Sequence, residues 1–440
     1  MRIGGTHRVL TKRWDIEDSH LLSTYDEGER YQQLHRALTK LSAAEIIDEV
    51  KGSNLRGAGG AGFPAGLKWS FVPTDTGKPV YLVVNADEGE PGTYKDRFII
   101  ERDPHMLLEG IGIACKAIGS HKAYIFIRGE YTGPRRRLIH AIEEARAAGI
   151  LGESAMGTGY RLDIHVHRGG GAYICGEETS LLEALEGKKG LPRVKPPFPA
   201  VEGLFGCPTV INNVQTIASV PAVMEMGGEA FAKMGHERCG GPHLFNVSGH
   251  VKWPGIYELP FGTTYRELIF EHCGGMRGEK ELKAVVPGGA STPVLLPEEL
   301  DVRADFDSMP NAGSMFGTGA VIALEEGTCM VRTCLRFLEF FHHESCGQCT
   351  PCREGCGWLA KIVGRIEHGG ATRSDVDLVL EVADKIVGNT ICALGDAAAM
   401  MAPPMVKKFE AEWNRHIEDE KCPFPKERLE KNRTPEESDD

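Results

Sequence analysis

Leu34, Leu38, Leu41, Ile46, Ile47 and Val50 recur at roughly helical spacing over residues 31–50 and predict amphipathic helices, which the glycine-rich stretch beginning at Gly57 brings to an end. The period then changes. Residues 79–85 (PVYLVVN), 122–128 (KAYIFIR) and 161–167 (RLDIHVH) are short, rich in β-formers and read as strands, with helix-like segments over 106–118 and 135–148 between them. Strand and helix in alternation predict an α/β fold with a largely parallel sheet. The turn residues 235–242 (GHERCGGP) mark a boundary, and the strand-like, glycine-rich stretch after them predicts a small second domain. Beyond Thr328 helical spacing returns over 331–341, 359–366 and 376–387, which predicts a helical bundle. A proline-containing charged tail from Pro423 is expected to be disordered. The domains are therefore expected at 1–240, 241–327 and 328–420, with a tail over 421–440. No internal repeat is visible.

With 440 residues the chain exceeds one ordinary core, and 41% hydrophobic with 25% charged residues places it among globular proteins. No stretch approaches the roughly 20 apolar residues of a spanning helix. The first ten residues carry Arg2, His7 and Arg8 without an apolar run of the secretory kind, so the chain is expected to stay inside the cell. A formal net charge of -12 argues against a nucleic-acid-binding protein, and any membrane link is expected to come through a partner. Thirteen cysteines, an odd number, read better as buried thiols plus metal ligands than as disulfides.

The sharpest chemical signal is Cys346-Gly-Gln-Cys349-Thr-Pro-Cys352. Spacing of C-x2-C-x2-C lets one tight turn present three thiolates to an iron-sulfur cubane, which wants four sulfur ligands. A structural zinc site, or three buried cysteines close by chance, are the plainer alternatives, although four-cysteine zinc sites usually pair two separated knuckles. Cys356 would complete a ferredoxin-like C-x2-C-x2-C-x3-C. In two-cluster ferredoxins, however, that fourth cysteine serves the other cluster and precedes proline, whereas here glycine follows and no second run exists. Cys392, in a later segment that can fold back, is the expected fourth ligand.

Residues 57–62 (GAGGAG) match G-x-G-x-x-G, yet the preceding AAEIIDEV reads as helix, which contradicts the usual dinucleotide fingerprint. The plain reading is a flexible loop. With Lys68 a few residues on, the loop also suits a phosphate cradle. A second loop, 168–171 (RGGG), follows a predicted strand and leads to Cys175-Gly-Glu-Glu-Thr179 at a helix start, an arrangement suited to an anion or an isoalloxazine edge. The acidic run 85–90 (NADEGE) ends a predicted central strand, where ligands bind in open α/β sheets, though exposed carboxylates are commonly just a solvated face. His165, His167, His342 and His343 receive no role.

Taken together, GxGGAGFPxGxKW over 57–69, NADEGEPG over 85–92, GAYICGEET over 171–179, KPPFP over 195–199, Asn212-Asn213 and the cysteine run occur in one order. Over about residues 30–410 the chain resembles the NADH-binding flavoprotein subunit of respiratory complex I, NADH:quinone oxidoreductase. The resemblance implies a Rossmann-like FMN- and NADH-binding α/β domain, a ubiquitin-like β-grasp domain and a C-terminal four-helix bundle carrying a 4Fe-4S cluster. It implies hydride transfer from NADH to FMN, then single electrons to the cluster and on towards quinone in a proton-pumping enzyme. For FMN it implies Gly57, Gly59, Gly60, Lys68, Asn85, Asp87, Glu88, Gly176, Glu177, Ile211, Asn212, Asn213, Thr216 and Leu394. For NADH it implies Phe63, Phe71 and Phe198 stacking, with Glu90, Tyr173, Glu178 and Lys195 as polar contacts. For the cluster it implies Cys346, Cys349, Cys352 and Cys392. Implied partners are a thioredoxin-like 2Fe-2S subunit, a large iron-sulfur subunit and the remaining complex I subunits, on the cytoplasmic face of the inner membrane.

No catalytic acid or base is expected, because hydride transfer belongs to the nicotinamide and flavin rings; Glu90 and Glu178 would position the nicotinamide. Two departures from the family pattern stand out: Ala58 where arginine is frequent and Gln215 where glutamate is frequent. The rival within the same resemblance is the diaphorase subunit of an NAD-linked hydrogenase or formate dehydrogenase. The rival outside it is a non-redox binding module shaped by zinc.

Overall fold

The computed structural model describes residues 2–26 and 31–424. Most of the tail expected over 421–440 lies outside the described residues. The chain divides into two units, Met1–Glu279 with Val285–Ala323, and Lys280–Ala284 with Leu324–Asp440.

The first unit carries a four-stranded parallel sheet built from β2 (Tyr81–Ala86), β3 (Lys122–Ile127), β4 (Asp163–Arg168) and β5 (Thr209–Asn213), in the order β4-β3-β2-β5. The expected strands over 79–85, 122–128 and 161–167 are β2, β3 and β4; β5 is the addition. Leu82, Val83, Val84, Ala123, Ile125, Phe126 and Ile127 are fully buried, as continuous apolar runs in a sheet covered on both faces must be. One covering helix, Pro104–Ile118, is apolar nearly all round; Asp103 caps it by accepting from the Met106 amide at 3.1 Å, and Gly119 ends it with φ 71°. It crosses the helix Val214–Met226 at Gly110, where a Cβ would lie 2.1 Å from the Ile217 carbonyl oxygen, so only glycine permits the approach. Burying one large apolar side chain here contributes roughly 1.5–3 kcal/mol.

A second sheet is mixed, with the order β1-β7-β6-β9-β8: β1 (Arg2–Gly5), β6 (Pro242–Gly249), β7 (Gly255–Pro260), β8 (Leu282–Val286) and β9 (Ala320–Glu325). β6 and β7 form an antiparallel pair, while β1 joins β7 and β9 joins β6 in parallel. The N-terminal segment is held by the buried Glu258, whose carboxylate accepts from the amides of Val9, Leu10 and Thr11 and from the Thr11 hydroxyl at 2.6–3.0 Å.

The second unit contains the helices Met330–Glu344, Thr350–His368, Arg373–Ile386 and Ala393–Lys408, each packed on the next and the last on the first, followed by Glu410–Glu418. Trp413 is fully buried and donates its indole N–H to the Met405 carbonyl at 3.1 Å. Among the described residues no helix is long and apolar enough to cross a membrane.

Candidate functional site

In the parallel sheet the chain runs outward from β2 through β3 to β4, then returns to pair β5 on the other side of β2. That reversal makes the carboxyl ends of β2 and β5 a topological switch point, the place where open α/β sheets take ligands. The residues around this edge form one connected layer. Asn85 donates to the Gly176 carbonyl at 2.7 Å and accepts from the Asp87 amide at 3.1 Å. Asn212, beside the buried Ile211, accepts from the indole N–H of buried Trp69 at 2.8 Å. Asn213 caps the following helix by accepting from the Gln215 amide at 2.9 Å and donates to Asp96 at 2.6 Å.

The first glycine loop follows the helix Ala43–Gly52, as the sequence indicates, and closes with the Gly57 amide donating to the Phe63 carbonyl at 2.9 Å. Its Ala58 amide donates to the buried Thr216 hydroxyl at 2.9 Å. A Cβ on Gly59 would meet the Asn213 Cβ at 3.4 Å, and Gly60 has φ +115°. Bare backbone is thereby laid over the end of β5.

The loops after β2 and β4 meet each other. A Cβ on Gly176 would lie 3.2 Å from the Asp87 carbonyl, and one on Gly89 would lie 2.9 Å from the Tyr173 ring. The Tyr173 hydroxyl donates to Glu90 at 2.7 Å, and Glu90 also accepts from the Ser291 amide at 2.7 Å; burial pushes its carboxyl up even so. The Glu88 carboxylate turns inward, accepting from the Asp96 and Arg97 amides and from the Tyr131 hydroxyl, and burial with the Asp96 charge raises it to about 7. After the loop at 168–171 comes the helix N-terminus that the sequence offers to an anion or an isoalloxazine edge. Glu177 accepts from the Thr179 and Ser180 amides at 2.8 and 2.9 Å, so the chain's own carboxylate fills that position.

Next to it is a line of charge. Lys68 lies 2.9 Å from Glu178, and Lys195 lies 3.0 Å from Glu178 and 3.3 Å from Glu177. Burial alone would raise the Glu178 carboxyl, but Lys68 and Lys195 hold it below its ordinary range. Burial would lower Lys195, and Glu178 holds it up. Phe63, Phe71 and Phe198 are 44%, 51% and 59% exposed, an unusual disposition for phenylalanine, and the first two rings lie 6.1 Å apart. Lys95 and Asp96 escaped the sequence reading. Lys95 is fully buried, 2.7 Å from Asp96 and 3.3 Å from Asn213, and the only advance signal was a lysine at a buried helix start.

This layer fits FMN and NADH: a glycine backbone that admits close approach, two lysines for an anionic group, amide side chains held by their neighbours, and exposed rings for stacking.

The cysteines belong to the second unit. Cys349 immediately precedes the helix Thr350–His368 and Cys392 immediately precedes Ala393–Lys408, while Cys346 lies in the turn between helices. Ser345 Oγ lies 3.2 Å from Cys352 Sγ, and a Cβ on Gly395 would meet Cys352 Sγ at 3.4 Å, which sets the segment after Cys392 against Cys352. Thr390 donates to the Cys392 carbonyl at 2.7 Å and shapes that turn. Cys356, fully buried one helical turn on, donates to Cys352 at 4.0 Å; this bond, joined by Ser345, lowers the Cys352 thiol to about 6 and raises Cys356. Three partly exposed thiols and one acidified thiol, two of them just ahead of helix N-termini, are a donor set suited to a 4Fe-4S cluster. Leu394 is buried in the first turn after Cys392. His342 packs its ring on Gly357 and His343 pairs with Glu344.

Comparison with known proteins agrees with this geometry. Residues 50–222 match the family described as the Nuo51 FMN-binding domain, 243–321 an SLBB domain, and 332–416 the NADH-ubiquinone oxidoreductase-F iron-sulfur binding region. The second F subunit of the NADH-quinone oxidoreductases of Rhizobium meliloti (strain 1021) is 53% identical over 416 residues, covering 94% of this chain and 99% of that protein. The NADH-quinone oxidoreductase F subunit of Mycobacterium tuberculosis (strain H37Rv) is 51% identical over 423 residues, covering 94% and 95%. Among solved structures, the NAD+-reducing NiFe-hydrogenase in its air-oxidised state aligns with a TM-score of 0.82 at 33% identity, over 94% of this chain and 68% of that one. Sharing half its residues with these oxidoreductase proteins along nearly their whole length, the chain belongs to the family of NADH-quinone oxidoreductase F subunits, whose FMN-binding and iron-sulfur regions it carries in order.

Proposed function

We propose that this chain is the NADH-oxidising subunit of a proton-pumping NADH:quinone oxidoreductase. The observation that carries the reading is the β2/β5 switch point together with Lys68, Glu178 and Lys195 in one ion-pair line and exposed phenylalanines close by in the sequence. Bound FMN supplies the conversion between the two-electron chemistry of NADH and the one-electron chemistry of a 4Fe-4S cluster.

The chain's own residues bind and orient. Gly57, Gly59, Gly60 and Lys68 hold the flavin phosphate and ribityl chain; Asn85, Asp87, Glu88, Gly176, Glu177, Ile211, Asn212, Asn213 and Thr216 shape the flavin pocket. Phe63, Phe71 and Phe198 stack on the dinucleotide, and Glu90, Tyr173, Glu178 and Lys195 fix its polar edge. Cys346, Cys349, Cys352 and Cys392 hold the cluster. In this reading 1–240 binds FMN and NADH, 241–327 is the ubiquitin-like domain and 328–420 carries the cluster. A thioredoxin-like 2Fe-2S subunit and a large iron-sulfur subunit accept the electrons at the cytoplasmic face of the inner membrane.

The hydrogenase likeness supports a second reading, a diaphorase subunit, but identity of 53% to an NADH-quinone oxidoreductase protein against 33% to the hydrogenase chain favours complex I. Affinity purification from cells producing the chain tests the choice. Recovery with NADH dehydrogenase subunits and quinone-dependent NADH oxidation supports the proposal; recovery with a nickel-containing hydrogenase overturns it.

A further inference from the structure

Four ligand-type side chains meet in the second unit, outside the cysteine run. Cys329 immediately precedes the helix Met330–Glu344, Glu367 lies in the last turn of Thr350–His368, His416 lies in Glu410–Glu418, and Cys422 follows in the terminal segment. Cys329, Glu367 and His416 are buried, and one donor atom from each of the four lies within 4.8 Å of all the others.

Four of the six separations come close to a tetrahedron's edges. Cys329 Sγ lies 3.6 Å from Cys422 Sγ, 3.4 Å from His416 Nε2 and 3.4 Å from Glu367 Oε2, and His416 Nε2 lies 3.3 Å from Glu367 Oε2. Ordinary zinc bond lengths in a regular tetrahedron put two sulfurs about 3.8 Å apart, sulfur and nitrogen about 3.6 Å, and nitrogen and oxygen about 3.4 Å.

The groups behind these atoms orient them. His416 Nδ1 is 2.8 Å from the Glu412 carbonyl, which can only accept, so Nδ1 carries the proton and Nε2 turns its lone pair to the other three ligands. Arg332 Nε donates to the outer oxygen of Glu367 at 2.7 Å, its backbone amide donates to Cys329 Sγ at 3.2 Å, and its Nη2 donates to Cys422 Sγ at 3.0 Å. Two thiolates and a carboxylate balance a divalent cation plus the Arg332 guanidinium. The terminal segment is seated as well: a Cβ on Gly369 would meet the Glu420 carbonyl at 2.2 Å, and the Phe424 ring stacks on His416 at 6.3 Å.

We propose that Cys329, Glu367, His416 and Cys422 form a structural site for zinc, closing the C-terminal segment onto the bundle. The mixed sulfur, nitrogen and oxygen donors suit this borderline cation, and four protein ligands leave no open position for substrate.

The test uses the full chain, with zinc and iron counted separately by plasma mass spectrometry and with Co2+ exchanged for zinc as a spectroscopic probe. The wild type is expected to hold about one zinc per chain and, with cobalt, to show the intense visible bands of a tetrahedral thiolate site. Cys422→Ser and His416→Gln are expected to lose both signals while retaining the iron content of the wild type, which shows that the chain has folded. Should those variants not fold, the wild-type cobalt spectrum decides alone. The proposal is overturned by an iron-replete wild type that takes neither zinc nor cobalt, by zinc that persists in both variants, or by a native Cys329–Cys422 disulfide in place of the metal.

Discussion

The Lys68 ammonium lies 2.9 Å from one carboxylate oxygen of Glu178, and the other oxygen is 3.0 Å from Lys195. One carboxylate thus holds two lysines that the sequence separates widely. Glu178→Gln leaves one acceptor oxygen without charge, so Lys68 loses its carboxylate partner and Lys195 keeps only the longer contact to Glu177. Charge-assisted hydrogen bonds contribute more than neutral ones, and the loss is expected to raise the KM for NADH roughly tenfold with a smaller effect on kcat. Steady-state NADH:ferricyanide kinetics check this.

The same pair predicts a pH dependence. Despite burial, Lys68 and Lys195 keep the folded-state pKa of Glu178 below its unfolded value. The stabilisation is therefore present above the ordinary glutamate pKa and is lost as pH falls through the depressed folded value. Acid melting curves of wild type and Glu178→Gln are expected to converge as the pH is lowered.

Glu109 has the opposite sign. Burial raises it to about 7, although it accepts from the Gln33 and Leu34 amides at 2.9 and 3.1 Å. The folded state binds the proton more tightly than the unfolded chain does, so stability falls as pH rises from the ordinary glutamate value to about 7. Glu109→Gln keeps an acceptor for the two amides and removes the cost of charging, on the order of a few kcal/mol. Its melting temperature is expected to exceed that of the wild type at pH 8 and to match it near pH 4.

Thr216→Val is close in shape but takes the hydroxyl from the Ala58 amide, which donates to it at 2.9 Å. A buried donor left unpaired costs about 1–3 kcal/mol, here charged to the loop that lies on Asn213. FMN affinity, followed by flavin fluorescence, is expected to fall at least tenfold.

Cys356 and Cys392 are expected to separate. Cys356→Ser replaces a fully buried thiol that touches Cys352 and is expected to retain the cluster, whereas Cys392→Ser is expected to lose it. Iron and acid-labile sulfide analysis with electron paramagnetic resonance distinguishes the two.

Much of this was legible in advance, for reasons that particular residues make plain. β2 and β3 each contain a buried run of β-formers and β4 alternates Ile164 and Val166 with polar residues, so composition and pattern mark them. β5 (TVINN) was not visible as a strand, because it ends in the two asparagines that serve the switch point and so has few apolar positions to announce it. β1 (RIGG) is paired by β7, some 250 positions away, and nothing local requires it to be a strand. The run of Cys346, Cys349 and Cys352 is a local motif and reads directly. Cys329 meets Glu367, His416 and Cys422 across 38, 87 and 93 positions, so no spacing rule could group them. The self-capping of Glu177 was equally hidden, since glycine followed by two glutamates reads as well for a ligand site as for a cap.

The most direct measurement is the anaerobic visible spectrum of the purified chain before and after NADH is added, with ferricyanide introduced last. Bleaching of the flavin band by NADH, followed by reduction of ferricyanide, is the predicted result. A folded chain that binds no flavin, or whose flavin stays oxidised in excess NADH, contradicts the account.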